Sequence, residues 1–315
     1  MTKLELTKFD DISGWQHLLT RSPQGTRFLD PAVLDLFGQD YRLYGVVRGG
    51  VAIMGLPVLD GAPLPWCYRQ GPIFLDEIWN AAPAKRIQYE IELAEFAVTE
   101  LAKVEPRFRL TLSPQLTDVR GYDWVHYHDA ALPRCSILPR YTAIVPLDGA
   151  DTARLRAGAR SARRQEERYA TEREGLRATN DGTVEELFAL YQTTFAQQGA
   201  AVEGAEAALF APYVTHFLQA GCGHILMVRN DSGDAVAGAF VFGDHDGVWH
   251  VPIVGTGQTR YGGTLLYFHI LDHALNHGAG AVDFDGANSP KRGYFKHSIG
   301  ARPTLYFEVR YDAGR

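Results

Sequence analysis

Two carboxylates near the C-terminus are the residues in this sequence best suited to acid–base chemistry. Residues 281–284 (AVDF) predict a short strand, and Asp283 and Asp285 lie two apart at its end. Side chains two apart on a strand point to the same face, so both carboxylates should meet at one site. Carboxylates placed in this way could accept or donate a proton during a reaction.

A short helix should follow this strand end and carry a cation towards it. Ser289 can cap the helix, Pro290 suits its first position, and Gly300 can end it. Lys296 lies on this helix, where it could stabilise a developing oxyanion. A surface lysine on a short amphipathic helix is the competing interpretation.

Histidines offer a second source of chemistry. His250 lies in a predicted strand just before a glycine-rich turn, which makes it a candidate base, although a buried structural histidine fits as well. His269, His273 and His277 recur every four residues, but this spacing also predicts the polar face of a helix over residues 264–276. No HExxH occurs, so the sequence predicts no metal site.

The glycine-rich turn 255–263 (GTGQTRYGG) links a predicted strand to that helix. Backbone amides in such turns approach phosphates closely, so Gly257 and Arg260 are candidates for binding the phosphates of a ligand. Tyr261 stands where coenzyme A-binding turns have their first glycine. A tight turn without a ligand is the alternative.

Four arginines recur in the predicted helix 151–174, within about one-third of its circumference: Arg156, Arg160, Arg163 and Arg164. Such a stripe could contact the phosphates of a nucleotide, a coenzyme or a tRNA acceptor end. Glu166 and Glu167 follow at once, so a solvated, charge-balanced face remains the alternative.

The elements that must position these residues occur twice along the chain. Strands at 41–48, 51–59 and 66–75 precede a helix and a strand at 107–112. Strands at 224–229, 236–242 and 248–254 precede the helix 264–276 and the strand 281–284. The repeated order predicts two α/β domains, 1–140 and 141–315.

Composition excludes several classes of protein. The 315 residues carry a formal net charge of −6, so no global basic field points to nucleic acid. Three cysteines without a CxxC argue against a disulfide framework or a cysteine zinc site. No GxSxG or Walker motif occurs. The absence of a signal peptide or a long apolar run predicts a cytoplasmic protein without a membrane segment.

Several of these motifs together resemble the Fem-type tandem GNAT proteins. Asp283-Phe-Asp-Gly286 is similar to the family's strand-end D-x-x-G, and 293–300 to its G-x-x-x-FK-x-x-F-G segment. Residues 160–175 resemble its arginine-rich helix, and 68–72 its Y-x-G-G-P. Ile299 and Gln70 depart from these patterns.

The resemblance implies an α/β fold of two tandem GNAT-like domains, each a central mixed β-sheet flanked by helices. The N-terminal domain would be structural and bind the acceptor, and the C-terminal domain would bind the acyl donor and carry the chemistry. Lys296 would stabilise the oxyanion, and Asp283, Asp285 or His250 would take the proton. The implied substrate contacts are Tyr68, Arg69, Asn288, Tyr294 and Phe295.

The activity implied is transfer of an amino acid from aminoacyl-tRNA to an amine of a small-molecule or peptide-like acceptor. The tRNA acceptor end would be the partner, with no metal and no tightly bound cofactor, in a monomer or homodimer. Acyl-coenzyme A-dependent N-acylation and a non-catalytic tandem GNAT binding protein remain the alternatives.

Overall fold

The computed structural model describes residues 3–38, 40–59 and 65–314. Two compact units divide the chain: unit 1 extends to Arg140 and resumes at Leu305, and unit 2 is Tyr141–Thr304. The C-terminal end differs from the predicted division, because the last strand pairs within unit 1.

The secondary-structure elements begin with those that lead up to the unit boundary. They are β1 Leu4–Lys8, α1 Ile12–Arg21, a 3-10 helix Arg27–Leu29, α2 Pro31–Leu36, β2 Tyr41–Arg48, β3 Val51–Leu59, β4 Ile73–Phe74, α3 Asp76–Trp79, α4 Pro83–Val104, β5 Arg107–Thr111, α5 Arg120–Asp123 and β6 Ser136–Pro146. The remainder are α6 Thr152–Gly158, α7 Ser161–Glu172, β7 Arg177–Thr179, α8 Val184–Ala196, α9 Gly204–Gln219, β8 Gly223–Arg229, β9 Ala235–Gly243, β10 Val248–Thr256, α10 Gly262–Asn276, β11 Ala281–Asp283, α11 Pro290–Ser298 and β12 Arg302–Asp312.

Unit 1 contains an antiparallel sheet in the order β1-β2-β3-β4. The predicted hairpin between β2 and β3 is present, and Gly49 and Gly50 both have the positive φ that this turn requires. The predicted third strand is wrong over most of its length, because only Ile73–Phe74 pair. Strand β5 pairs antiparallel with β12.

Unit 2 contains the mixed sheet β6-β11-β10-β9-β8-β7, in which β10 and β11 are parallel. One face of this sheet packs against α6, α7 and α10 through residues such as Val241, Leu271 and Phe268. The other face packs aromatic side chains of α9, among them Tyr213 and Phe217, against β9. Burial on both faces explains the nearly continuous apolar run of β9.

The arginine-rich segment is two helices, so the prediction of one helix over 151–174 is wrong. Asp151 caps α6 through its side chain, and the chain then breaks at Ala159 and Arg160. At the break the amide of Arg160 donates to the carbonyl of Ser298 at 3.0 Å instead of to its own helix. A tertiary hydrogen bond thus replaces the helical one, and the four arginines do not form a continuous stripe.

No helix among the described residues combines the length and apolar character that a membrane span needs.

Candidate active site

The candidate site lies where β10 and β11 separate. The two strands pair only from Val248 to His250 against Ala281 to Asp283. Strand β11 ends there, whereas β10 bulges between His250 and Ile253 and continues to Thr256 beside β9. Pro252 lies within the bulge and has no N–H to donate, which favours a break in the ladder at this point.

Helix α8 lies directly against the part of β10 beyond the bulge. A Cβ atom on Gly255 would come within 2.5 Å of the backbone nitrogen of Tyr191. Only glycine therefore fits this position, and the close approach fixes the end of β10. Thr194 adds a side-chain bond, because the amide of Thr256 donates to its Oγ1 at 2.6 Å.

His250 is buried between two carboxylates. Its Nδ1 lies 3.1 Å from Oδ1 of Asp285, and its Nε2 lies 3.5 Å from Oδ2 of Asp244. All three side chains are almost fully removed from solvent. The sequence suggested His250 and Asp285, but Asp244 was missed because it stands in an Asp-rich turn, where carboxylates are common.

Asp283 shapes the backbone that presents Asp285. Its Oδ1 accepts a hydrogen bond from the amide of Asp285 at 2.9 Å and another from the hydroxyl of Thr142. Asp285 has φ +51, a left-handed conformation that aspartate tolerates better than most residues. The strand ends at Asp283, so simple strand alternation does not place Asp285.

The structure nevertheless brings the predicted acid–base residues together. One ligand-capable atom from each of His250, Asp283 and Asp285 lies within 4.8 Å of the others. These three side chains could also hold a cation. However, hydrogen bonds inside the cluster already use Oδ1 of Asp283 and Nδ1 of His250.

Lys296 binds backbone carbonyls. Its Nζ donates to the carbonyls of Phe284 at 2.6 Å, Asp285 at 2.5 Å and Gly286 at 3.0 Å. Burial lowers its pKa to about 8, against the opposing effect of Asp285 and Asp283. The ammonium group has three N–H bonds, and the three carbonyls account for them. Its observed contacts are those of a residue that holds the loop after β11.

The three predicted substrate contacts around α11 have different surroundings. Asn288 uses both ends of its amide on the backbone of Tyr141, at 2.8 and 3.2 Å. Phe295 packs edge-on against Tyr267. Tyr294 is 58% exposed and is therefore open to a ligand.

Tyr68 and Arg69 belong to unit 1, in the segment before β4. Both are half-buried, and the ring of Tyr68 lies edge-on against Phe28, with 6.3 Å between centroids.

Two of the four predicted donor-binding arginines are committed to ion pairs. Arg156 binds Glu167 at 2.6 Å and also Asp272, while Arg163 binds Glu166 at 2.5 Å. Arg160 and Arg164 are exposed. The guanidinium of Arg160 lies 5.4 Å from the ring centre of Tyr294, and Arg164 donates to the carbonyl of Ala159 at 2.7 Å.

The predicted phosphate-binding turn, 255–263, leads from β10 into the first turn of α10. Oγ1 of Thr264 donates to a carboxylate oxygen of Glu166 at 2.6 Å, so a negative charge already lies beside this turn. Gly257 donates its amide to the carbonyl of Val236 at 2.9 Å. Arg260 is exposed, and its guanidinium lies 5.1 Å from the ring centre of Tyr261.

A cavity of about 630 Å³ in unit 1 was missed by the sequence analysis. Its lining includes four arginines from three segments, namely β5, the chain before β6, and β12: Arg107, Arg109, Arg134 and Arg310. Arg109 and Arg310 face each other across β5 and β12, and both bind the buried Glu308. Burial favours the neutral acid, but the two arginines outweigh it and lower the pKa of Glu308 to about 2. Only the pairing of these distant strands brings the arginines together.

Comparison with known proteins identifies the fold. Residues 153–296 match the family described as "Acetyltransferase (GNAT) domain". Unit 2 therefore contains a GNAT acyltransferase-type fold. No curated protein matches the sequence.

Solved structures extend the likeness to both units. FemX superimposes with a TM-score of 0.67 at 14% identity, over 98% of this chain and 97% of that one. A tandem GNAT protein from the clavulanic acid biosynthesis pathway gives 0.53 at 14% identity, over 99% of both chains. L-PGS from Bacillus licheniformis gives 0.53 at 14%, over 97% of this chain and 93% of that one. The chain has the tandem GNAT fold of the Fem-type proteins, which confirms the resemblance at the level of the fold.

Proposed function

We propose that the protein is an aminoacyltransferase that moves an amino acid from aminoacyl-tRNA to an amine, forming an amide. The observation that carries this proposal is the separation of β10 from β11 beside the buried His250–Asp285 pair. A strand edge that opens next to an acid–base pair provides a place where an acyl carbonyl can lie close to a proton acceptor.

In the proposed reaction the acceptor nitrogen attacks the ester carbonyl and forms the new C–N bond. The nitrogen loses a proton to the His250–Asp285 pair, and the C–O bond to the tRNA ribose then breaks. The leaving oxygen takes a proton in return, so the pair ends in its starting state. Asp283 and Lys296 act as positioning residues, because they hold the backbone on either side of the Asp285 carboxylate.

The donor side of the site favours a nucleic-acid end over coenzyme A. Glu166 places negative charge at the turn where a pyrophosphate would bind, and Tyr261 adds its ring there. Exposed arginines lie against tyrosine rings on α7, just before α10 and on α11, and the ring on α11, that of Tyr294 beside Arg160, is itself exposed. Arginine beside exposed aromatic rings is a surface on which unpaired bases stack.

The arginine-lined cavity of unit 1 is a proposed place for an acceptor that carries negative charge, which would share its arginines with Glu308, Asp312 and Asp123. Arginine side chains bind carboxylates and phosphates through paired N–H groups. We therefore include amino acids, acidic peptides and phosphorylated amino sugars among the acceptors to be tested.

The test uses tRNA charged with labelled amino acids and a panel of such amines. Mild alkali then hydrolyses the remaining ester, and label that survives in the acceptor measures amide formation. We expect transfer by the wild-type protein and by Lys291→Ala, an exposed control on α11, and little transfer by Asp285→Asn. Transfer that persists after ribonuclease treatment, supported by acyl-coenzyme A alone, would contradict the proposal.

Acyl-coenzyme A-dependent N-acylation is the second candidate. It is favoured by the two glycines that open α10 and by the absence of a side-chain cap at Tyr261. Acetyl-coenzyme A at millimolar concentration would then raise the melting temperature of the protein. No stabilisation would count against this candidate.

A further inference from the structure

Three histidines of unit 2 meet on the face of the sheet that packs against α10. His224 comes from β8, His273 from the last turn of α10, and His277 from the residue that ends this helix. One ring nitrogen from each lies within 4.8 Å of the other two. In the sequence His273 and His277 recur with His269, but in the structure their partner is His224.

His269 is held elsewhere. Its Nε2 lies 2.8 Å from Oδ1 of Asn180 and 3.2 Å from the carbonyl of Thr179. The prediction that His273 belongs to the polar face of α10 did not anticipate its burial, since its side chain is only 7% exposed. Its ring packs edge-on against Trp249, on which His224 also stacks.

A hydrogen bond sets the tautomer of His277, and burial sets the protonation state of His273. Nδ1 of His277 lies 2.7 Å from the carbonyl of His273, and since a carbonyl only accepts, this nitrogen carries the proton. The lone pair of His277 is therefore on Nε2. Burial, together with the neighbouring histidines, lowers the pKa of His273 to about 4, so this ring is neutral at physiological pH. Neutral imidazole is the form that binds metal ions.

His273 shows that the cluster is incomplete as it stands. Its Nε2 is buried, and it has no hydrogen-bond partner within the part of the chain that the structure describes. A buried nitrogen without a partner is costly, and most native structures avoid it. Stacking on Trp249 contacts the face of an imidazole and does not satisfy the in-plane lone pair.

We propose that His224, His273 and His277 bind a transition-metal ion of the Zn²⁺ class, with water as the fourth ligand. Imidazole suits zinc, copper and nickel, whereas calcium and magnesium require oxygen ligands that this cluster lacks. Zinc–nitrogen bonds of about 2.0–2.1 Å place tetrahedral ligand atoms about 3.3 Å apart. His277 is exposed and ends α10, so a small shift of its side chain can shorten these distances while Nδ1 keeps its hydrogen bond.

The histidine metal site is separate from the candidate active site. Trp249 and His250 are neighbours on β10, so their side chains point to opposite faces of the sheet. Trp249 contacts the three histidines, and His250 stacks on Phe242 on the other side. A metal here would tie β8 to the end of α10 and act on stability.

Zinc binding to the full chain tests this proposal by calorimetry after chelator treatment and dialysis. We expect one equivalent of Zn²⁺ per chain and an affinity at least tenfold lower for His277→Ala, a change at an exposed position. His224→Phe keeps a ring on Trp249 and should show the same loss. His245→Ala, at an exposed histidine outside the cluster, should bind like the wild type.

A second readout identifies the ligands. Co²⁺ in place of Zn²⁺ should give the visible absorption of a tetrahedral, nitrogen-ligated ion in the wild type and lose it in both cluster variants. Melting in the presence of chelator shows whether each variant is folded without metal. A wild-type protein that takes up no Zn²⁺, or a His245→Ala loss equal to that of His277→Ala, would overturn the proposal.

Discussion

Lys296 donates a hydrogen bond to the backbone carbonyl of Asp285 at 2.5 Å, while the carboxylate of the same aspartate lies 3.1 Å from His250. The lysine therefore acts on the proposed acid–base pair through the backbone. The sequence predicted that Lys296 stabilises an oxyanion directly. The observed hydrogen bond instead favours a role in which Lys296 positions Asp285.

Replacement of Lys296 by Met should lower both stability and transfer. The change leaves three backbone carbonyls without their donor, which costs about 1–3 kcal/mol for a buried group. Chemical denaturation and the transfer assay measure the two effects. The exposed Lys291→Ala should change neither. A stable Lys296→Met protein with full activity would refute the positioning role.

Asp285→Asn should lower the rate of transfer about 10²–10⁴-fold, the usual contribution of general acid–base catalysis. The side chain keeps its shape, so the melting temperature should change little and the acceptor KM should be nearly unchanged. Single-turnover rates with charged tRNA separate the chemical step from binding. Full activity of this variant would exclude the His250–Asp285 pair from the chemistry.

Arg156→Ala should destabilise the protein without a selective effect on donor binding. Arg156 is 18% exposed and bridges Glu167 and Asp272, and loss of one member of such a half-buried network costs about 1–2 kcal/mol, between the values for exposed and buried pairs. Arg160→Ala is the matched comparison on the surface and should weaken tRNA binding while leaving the melting temperature unchanged. Filter binding at several salt concentrations would distinguish the two variants.

In the metal-free, chelator-treated protein, stability should fall as the pH drops from about 6.5 to about 4. The folded-state pKa of His273 is about 4, below the ordinary value of 6.5, so the unfolded chain takes up a proton first as the pH falls. Each pKa unit is worth about 1.4 kcal/mol, which gives about 3 kcal/mol at most. His273→Phe should flatten the stability profile between these pH values. An unchanged slope would contradict this assignment.

Glu166→Gln should increase the affinity for coenzyme A. The carboxylate lies beside the first turn of α10, where it repels a pyrophosphate and interacts favourably with the helix N-terminus. Removal of the charge should strengthen binding of 3′-phosphorylated ADP, the nucleotide part of coenzyme A that carries the pyrophosphate. Calorimetry should show a several-fold increase in affinity. Equal binding by both proteins would show that Glu166 does not influence the choice of donor.

Local patterns predicted the elements that carry the site. The hairpin at Gly49-Gly50 follows from turn chemistry, and the helix that begins at Pro290 follows from the preference of proline for a first helical position. Among the described residues, the expected side-chain cap by Ser289 is not formed. The prediction of a third strand near Trp66 was wrong, because apolar composition does not reveal whether a segment pairs with a neighbouring strand. The segment has instead a positive φ at Trp66 and Gly71 and a cis Gly71–Pro72 bond.

Side-chain contacts between different elements could not be predicted from the sequence. Asp244 is close to His250 in the sequence, across the short hairpin between β9 and β10, but it resembled an ordinary turn residue. The arginine-rich segment divides into two helices where the amide of Arg160 donates a hydrogen bond to the carbonyl of Ser298, a residue far away in the sequence. The helical spacing of His269, His273 and His277 was predicted correctly. Their neighbour His224 was not, because it comes from β8, which precedes this helix in the sequence.

The chain crosses between the two units within long strands, first at the 140/141 boundary in β6 and again at 304/305 in β12. Unit 1 is therefore discontinuous in sequence. A fragment that stops at residue 140 lacks Glu308, the shared partner of Arg109, Arg140 and Arg310, and leaves β5 without its neighbour. Separate expression of unit 1 thus requires a circular permutation or a linker that joins β12 to the rest of the unit, and simple truncation would produce a strand edge prone to aggregation.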